Sequence, residues 1–287
     1  MAQQDQGIRR GLPMMIMLML ASLLTMADPQ SPTASSLLSS KDRKLIDTYL
    51  PGVLVEPMDD NSKVESIDDW WPQIPARYEM TRTGGTGGGE KKNFTSVYAQ
   101  SPLTSDDQAK PPKHEWKITL REKVSKYFYR NNHGMHAQRV TDHEAGYITL
   151  FDPTEPVLVL NTKAGDTIQK ELKLRVSKIT HPDVLAHDGS LTCTYRDLGS
   201  WKARVPAGDF EARLIHVKYE GSVSLAHLEF NHFLLLGRKT GPIAWINLDT
   251  QRVLFSDTDD YGCVLTSRQQ EESPPARTKP SRKEMSQ

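Results

Sequence analysis

Nine histidines and two cysteines are the side chains in this chain best suited to proton transfer, metal binding or nucleophilic attack near neutral pH. Three of the histidines, His133, His136 and His143, fall within one short segment. Imidazoles so placed could hold zinc or copper and activate a water for hydrolysis. Against that, Gly134 puts the first pair in a turn, and no carboxylate completes a ligand spacing, so the same segment reads as a hairpin loop with surface histidines. Cys193 and Cys263 are an even pair. In an oxidising compartment they could form a disulfide, closing a loop of about 70 residues worth roughly 4 kcal/mol. They could equally be two buried thiols behaving as small apolar groups.

Other motifs fail on chemistry. Asp257, Asp259 and Gly262 occupy three positions of a calcium loop, but Tyr261 stands where an oxygen ligand belongs and Arg268 where the closing glutamate should be. The glycine run Gly84–Gly89 is followed by Glu90, with no Lys-Ser/Thr pair to grip a phosphate, so it is not a P-loop. There is no G-x-S-x-G elbow and no H-E-x-x-H helix, and Cys193 lies within a strand pattern. Asn93-Phe94-Thr95 is a glycosylation sequon, informative only in a eukaryotic secretory pathway. The residues thus assign no catalytic group and no cofactor. A non-enzymatic protein is the first expectation, and a metal-dependent hydrolase built on the three histidines is the alternative.

The composition narrows the partners. Thirty-six basic residues balance 36 acidic ones, and aromatics make up 7% of the 287 residues, so neither a positive field nor a stacking platform favours nucleic acid. At the N-terminus, Arg9 and Arg10 precede an apolar run, Met14 to Leu24, and Thr25-Met26-Ala27 forms a small-x-small site. This pattern predicts a signal peptide over 1–27 and a soluble periplasmic or secreted product. The run is too short to span a bilayer, which takes about 20 residues.

Beyond the leader, 28–112 reads as a flexible region holding one short helix near 40–50, with Ser39 as its cap and Pro51-Gly52 as its stop. Trp70 and Trp71 stand out there. They either pack on the main domain, the favoured reading, or anchor a protein partner in a purely structural interaction module. From 113 to 267 the period changes to two. Trp116, Ile118 and Leu120 alternate with polar residues, as do Leu172, Leu174 and Val176, and Leu191, Cys193 and Tyr195. A phase slip near Leu214 predicts a β-bulge. Pro206, Gly208 and Phe210 build a hairpin, since proline fixes φ and Gly208 accepts a positive one. The predicted fold class is mainly β: an antiparallel sandwich, barrel or half-barrel, with a disordered tail over 268–287.

The stretch Val205-Pro206-Ala207-Gly208-Asp209-Phe210-Glu211-Ala212, with Thr194-Tyr195-Arg196-Asp197-Leu198-Gly199 before it and Gly241-Pro242-Ile243-Ala244 after it, resembles an uncharacterised periplasmic family that carries a V-P-A-G-x-F-x-A hairpin. The likeness covers about 191–248. It implies a curved antiparallel sheet or half-barrel similar to those of lipoprotein carriers, whose concave apolar face can hold a lipid or another hydrophobic ligand; an envelope protein is the alternative partner.

Overall fold

Alternating apolar and polar side chains run through far more of the chain than its C-terminal half, and they fold into thirteen strands among the described residues. The structure, a computed structural model, describes residues 34–58, 62–83, 95–103, 116–120, 123–224, 226–252 and 260–270. The leader expected over 1–27 lies outside them.

Three short helices and a strand come first or interleave: α1 (Ala34–Leu37), α2 (Ser40–Tyr49), β1 (Leu54–Pro57) and α3 (Ile67–Trp70). Next come β2 (Ala76–Thr83), β3 (Thr95–Pro102), β4 (Trp116–Leu120), β5 (Val124–Asn131), β6 (Gly134–Asp142) and β7 (Tyr147–Val159). The remainder are β8 (Thr167–Lys178), β9 (His181–Val205), β10 (Gly208–Val223), β11 (Ala226–Gly237), β12 (Gly241–Arg252) and β13 (Tyr261–Gln270). Every neighbouring pair is antiparallel. The order runs β9-β10-β11-β12-β13-β2-β3-β4-β5-β6-β7-β8 and returns to β9, a closed barrel of twelve strands, with β1 added along the outer part of β9. Closure removes the open edges that a half-barrel would leave.

The domain boundary expected at 113 does not divide this fold. β2 and β3 precede it and are full barrel staves, paired with β13 and β4. Long connections, including the glycine run outside the described residues, hide these strands in a sequence that otherwise looks like a linker. Likewise β13 continues through Arg268 to Gln270, past the expected start of the tail; 271–287 lie outside the described residues. The predicted hairpin is present, with Gly208 at φ +134° and Gly208 opposite Val205. So is the bulge, as a register shift between Arg213 and Ile215.

Two apolar layers follow from the strand alternation. Val217 and Tyr219 stand beside Tyr195 and Cys193 on β9 and beside His232 and Phe230 on β11, and this face lines the interior. The opposite face of β10 to β12 carries Leu214, Phe233, Leu235, Ala244 and Ile246, clustered with Ile46, Tyr49, Leu50 and Val53 of the N-terminal segment. α2 is therefore the predicted helix and docks on the barrel wall. Its Ser39 cap accepts the Asp42 N–H at 3.0 Å. Thr83 Oγ1 donates to the Tyr49 carbonyl at 2.6 Å, fixing the far end.

Gly262 is where that carbonyl meets the barrel: a Cβ there would lie 2.2 Å from Tyr49 O and 2.8 Å from Thr83 Oγ1. Gly262→Ala is therefore expected to lower stability by about 1–3 kcal/mol through overpacking. Trypsin should also cut after Arg43 and Lys44 sooner than in the parent, as α2 lifts. Unchanged urea midpoint and cleavage rate would show that the helix is held elsewhere.

Candidate functional site

Inward-facing side chains do not fill the barrel. They leave a cavity of about 520 Å³, lined by residues of β2 to β5, β7 and β10 to β13 and by Trp71. That size lies within the roughly 300–1,000 Å³ of small-ligand sites.

Its floor comes from the segment expected to be flexible, the chain around α3. The chain on either side of α3 crosses one end of the barrel, tied to the turns there. Val64 and Asn161/Thr162 exchange backbone hydrogen bonds, Lys239 N–H donates to the Asp69 carbonyl, and Arg130 pairs with Asp68 at 2.8 Å. This plug drives Trp71 inward, where it is 5% exposed and stacks at a tilt on Phe128 with ring centroids 5.6 Å apart. The indole N–H donates to Gln100 Oε1 at 2.7 Å, and Gln100 Nε2 donates to the carbonyls of Pro72 and Ile74. Both tryptophans are buried, so the packing alternative for Trp70 and Trp71 is the one observed.

One polar cluster interrupts the apolar wall. Lys126 on β5 donates from Nζ to Glu155 Oε1 on β7 at 2.7 Å, and Tyr219 OH on β10 donates to the same oxygen at 2.6 Å. Across the cavity, Asn247 Nδ2 donates to Tyr261 OH at 3.0 Å, and His232 stands opposite Asn247 in the ladder. Burial raises the Tyr219 hydroxyl well above its ordinary range, and the neighbouring Glu155 charge adds to it. No sequence motif joins these residues into one site. The signal was there for one: Lys126 takes the apolar phase of Val124, Lys126 and Phe128, a lysine where an inward residue belongs.

The three candidate metal ligands do not share a site. His133 is in the β5–β6 turn, His143 follows β6 at its other end, and His136 is within the strand. Among the described residues no group of three His, Cys, Asp or Glu is placed to hold a metal. His143 instead hydrogen-bonds Ser125 Oγ at 3.0 Å. Nor is His136 a surface residue. It is 3% exposed, stacks on Tyr129 at 5.4 Å, and neither ring nitrogen has a hydrogen-bond partner.

Burial first, then the charges of Lys170 and His133, lowers the His136 pKa from 6.5 to about 4. Between those values the unfolded chain holds a proton that the folded one does not, so stability rises with pH. This stability is fully present above pH 6.5 and declines as pH falls to about 4, by a total of about 3 kcal/mol. His136→Phe should remove that part of the slope. Urea unfolding from pH 7 to 4.5 measures it, and a variant slope equal to the parent's would refute the assignment.

For the cysteines, the buried-thiol alternative is the one observed. Both are buried thiols outside any disulfide. Both face inward, but β10, β11 and β12 lie between their strands, an arc of about 19 Å at ~4.8 Å per step, whereas a disulfide needs Cα atoms roughly 4.4–6.8 Å apart. Burial, and after it the Glu155 charge, pushes the Cys193 thiol up to about 12, which keeps it protonated and unreactive.

No family model matches the chain, and no curated protein matches it. Among solved structures, a candidate lipoprotein from Parabacteroides distasonis aligns with 69% of this chain and 97% of its own, at 10% identity and a TM-score of 0.34. A candidate exported protein with a YmcC-like fold from Bacteroides fragilis aligns with 70% of this chain and 99% of its own, at 9% identity and a TM-score of 0.33.

Proposed function

We propose that this is an exported, non-enzymatic protein of the envelope or extracellular space that holds a hydrophobic ligand inside its barrel. The observation that carries the reading is the cavity of about 520 Å³ with an aromatic floor. A barrel built only for rigidity would fill its interior with side chains, because each unfilled volume forfeits dispersion contacts. Here Trp71 is brought in from outside the barrel to close one end beneath open space. The polar groups nearest that space are engaged with one another, Lys126 and Tyr219 on Glu155 and Asn247 on Tyr261, an arrangement suited to holding a ligand. The address rests on Arg9-Arg10, the apolar run Met14 to Leu24 and the small-x-small site at Ala27.

Organic extraction of the purified protein followed by mass spectrometry tests the reading. A stoichiometric apolar molecule that is lost on denaturation is the expected result. A protein that carries none and gains no thermal stability from added lipids, fatty acids or alcohols would overturn it.

Val184 and Leu185 favour a second reading, an envelope protein partner. They are large, exposed and adjacent near the start of β9, just beyond the β8–β9 turn. Replacing both with Ser should leave cavity binding intact and remove a crosslinked neighbour in whole cells; an unchanged crosslinking pattern would exclude that surface.

A further inference from the structure

The polar cluster in the cavity wall says what kind of head the ligand carries. We infer that the barrel binds an amphiphile with an anionic head, seated on Lys126, with its tail directed to the floor at Trp71. This rests on the reading of the cavity as a ligand site.

Depth along the strands separates an apolar floor from a polar belt. On β5, Phe128 lies beside Trp71 and Lys126 is the next inward residue above it, two positions or about 7 Å along the strand. On β11 and β12 the same order holds: Leu234 and Trp245 form one cross-strand pair, and His232 and Asn247 form the next. The lower part is aliphatic and aromatic, and the upper part carries Lys126, Glu155, Tyr219, His232 and Asn247.

Lys126 and Glu155 have opposite charges, so either could be the anchor. Their exposure and bonding decide between them. The Glu155 side chain is 7% exposed, and its Oε1 accepts from both Lys126 and Tyr219. The Lys126 side chain is 33% exposed. Its ammonium has three N–H donors, of which Glu155 takes one. A cation entering the cavity would meet an already neutralised carboxylate behind an ammonium. An anion would meet the ammonium directly and could complete its hydrogen bonds with charge-assisted ones. Glu155 then acts as a positioning residue, holding Nζ against the wall at the level of the belt.

The test uses the full-length mature protein and three probes of equal tail length: laurate, dodecanol and dodecylamine, titrated by quenching of tryptophan fluorescence. Laurate should bind about tenfold or more tighter than dodecanol, since a charge-assisted hydrogen bond replaces a neutral one. Dodecylamine should bind no tighter than dodecanol. In Lys126→Met/Glu155→Gln, which leaves no unpaired charge, laurate and dodecanol should bind within about twofold of each other while dodecanol keeps its parental affinity. Lys126→Arg should retain the preference for laurate, and melting curves establish that each variant is folded.

Equal binding of laurate and dodecanol to the parent would overturn the anionic head and leave the cavity reading standing. Tighter binding of dodecylamine would overturn it in favour of Glu155 as anchor. Failure of all three probes would overturn the cavity reading and this inference with it.

Discussion

Asp197→Ala should destabilise the protein by about 3–5 kcal/mol, the cost of leaving a buried charge without its partner. Asp197 and Arg213 are both 0% exposed, and Arg213 donates from Nε and Nη2 to the two carboxylate oxygens at 2.8 Å each. The remaining capacity is also used. Asp197 accepts from Thr162 Oγ1 and from the Gly199 N–H, and Arg213 Nη1 donates to the Ser62 carbonyl and Ser200 Oγ. One ion pair therefore ties β9, β10, the turn after β7 and the chain leading into the α3 plug. For a chain of this size the loss corresponds to a drop in Tm of roughly 2–4 °C per kcal/mol. Asp197→Leu/Arg213→Met, which removes both charges, should recover about half of the loss or more, because an apolar pair of similar volume has no desolvation penalty. Chemical unfolding of the three proteins decides it. A single variant within about 1 kcal/mol of the parent would mean that water reaches Arg213.

The second large effect belongs to Trp71. Trp71→Ala removes a buried indole and leaves the Gln100 oxygen unpaired, at a cost of about 3–5 kcal/mol. It should also abolish ligand retention, since the cavity would open through its floor. Trp71→Phe separates the two roles. It keeps an aromatic surface over Phe128 but lacks the N–H, so it should cost about 1–3 kcal/mol while retaining the ligand. Extraction of each variant, with melting curves alongside, tests the distinction. Ligand retained by a folded Trp71→Ala protein would show that the plug has a structural role only.

How much of this was legible beforehand can be traced residue by residue. Trp116, Ile118 and Leu120, or Leu172, Leu174 and Val176, announce strands because a strand places every second side chain on one face. Ser39 announces a helix start, and Pro206 with Gly208 a hairpin, because caps and turns are local geometry. Ala76, Tyr78 and Met80 carry the same period-two signal as the later strands, yet the glycine-rich stretch that follows made β2 resemble linker.

The candidate site was far less legible. Lys126 is 29 residues from Glu155, and Glu155 is 64 from Tyr219. No spacing rule joins them; the barrel does, by placing β5, β7 and β10 around one interior. The three neighbouring histidines illustrate the converse, since closeness in sequence put them at different heights of a strand and its turns.

By itself, then, the sequence determined the antiparallel β class, a helix near 40–50, the hairpin within Val205 to Ala212 and the bulge near Leu214, all consequences of interactions between residues a few positions apart. Only the tertiary structure decided that β8 closes on β9 and makes a barrel, that Trp71 forms a floor, that Cys193 and Cys263 stay apart, and that Lys126 meets Glu155 and Tyr219. Those outcomes depend on which distant strands pair and on how much space their inward side chains leave, and neither is a property of any local stretch of chain.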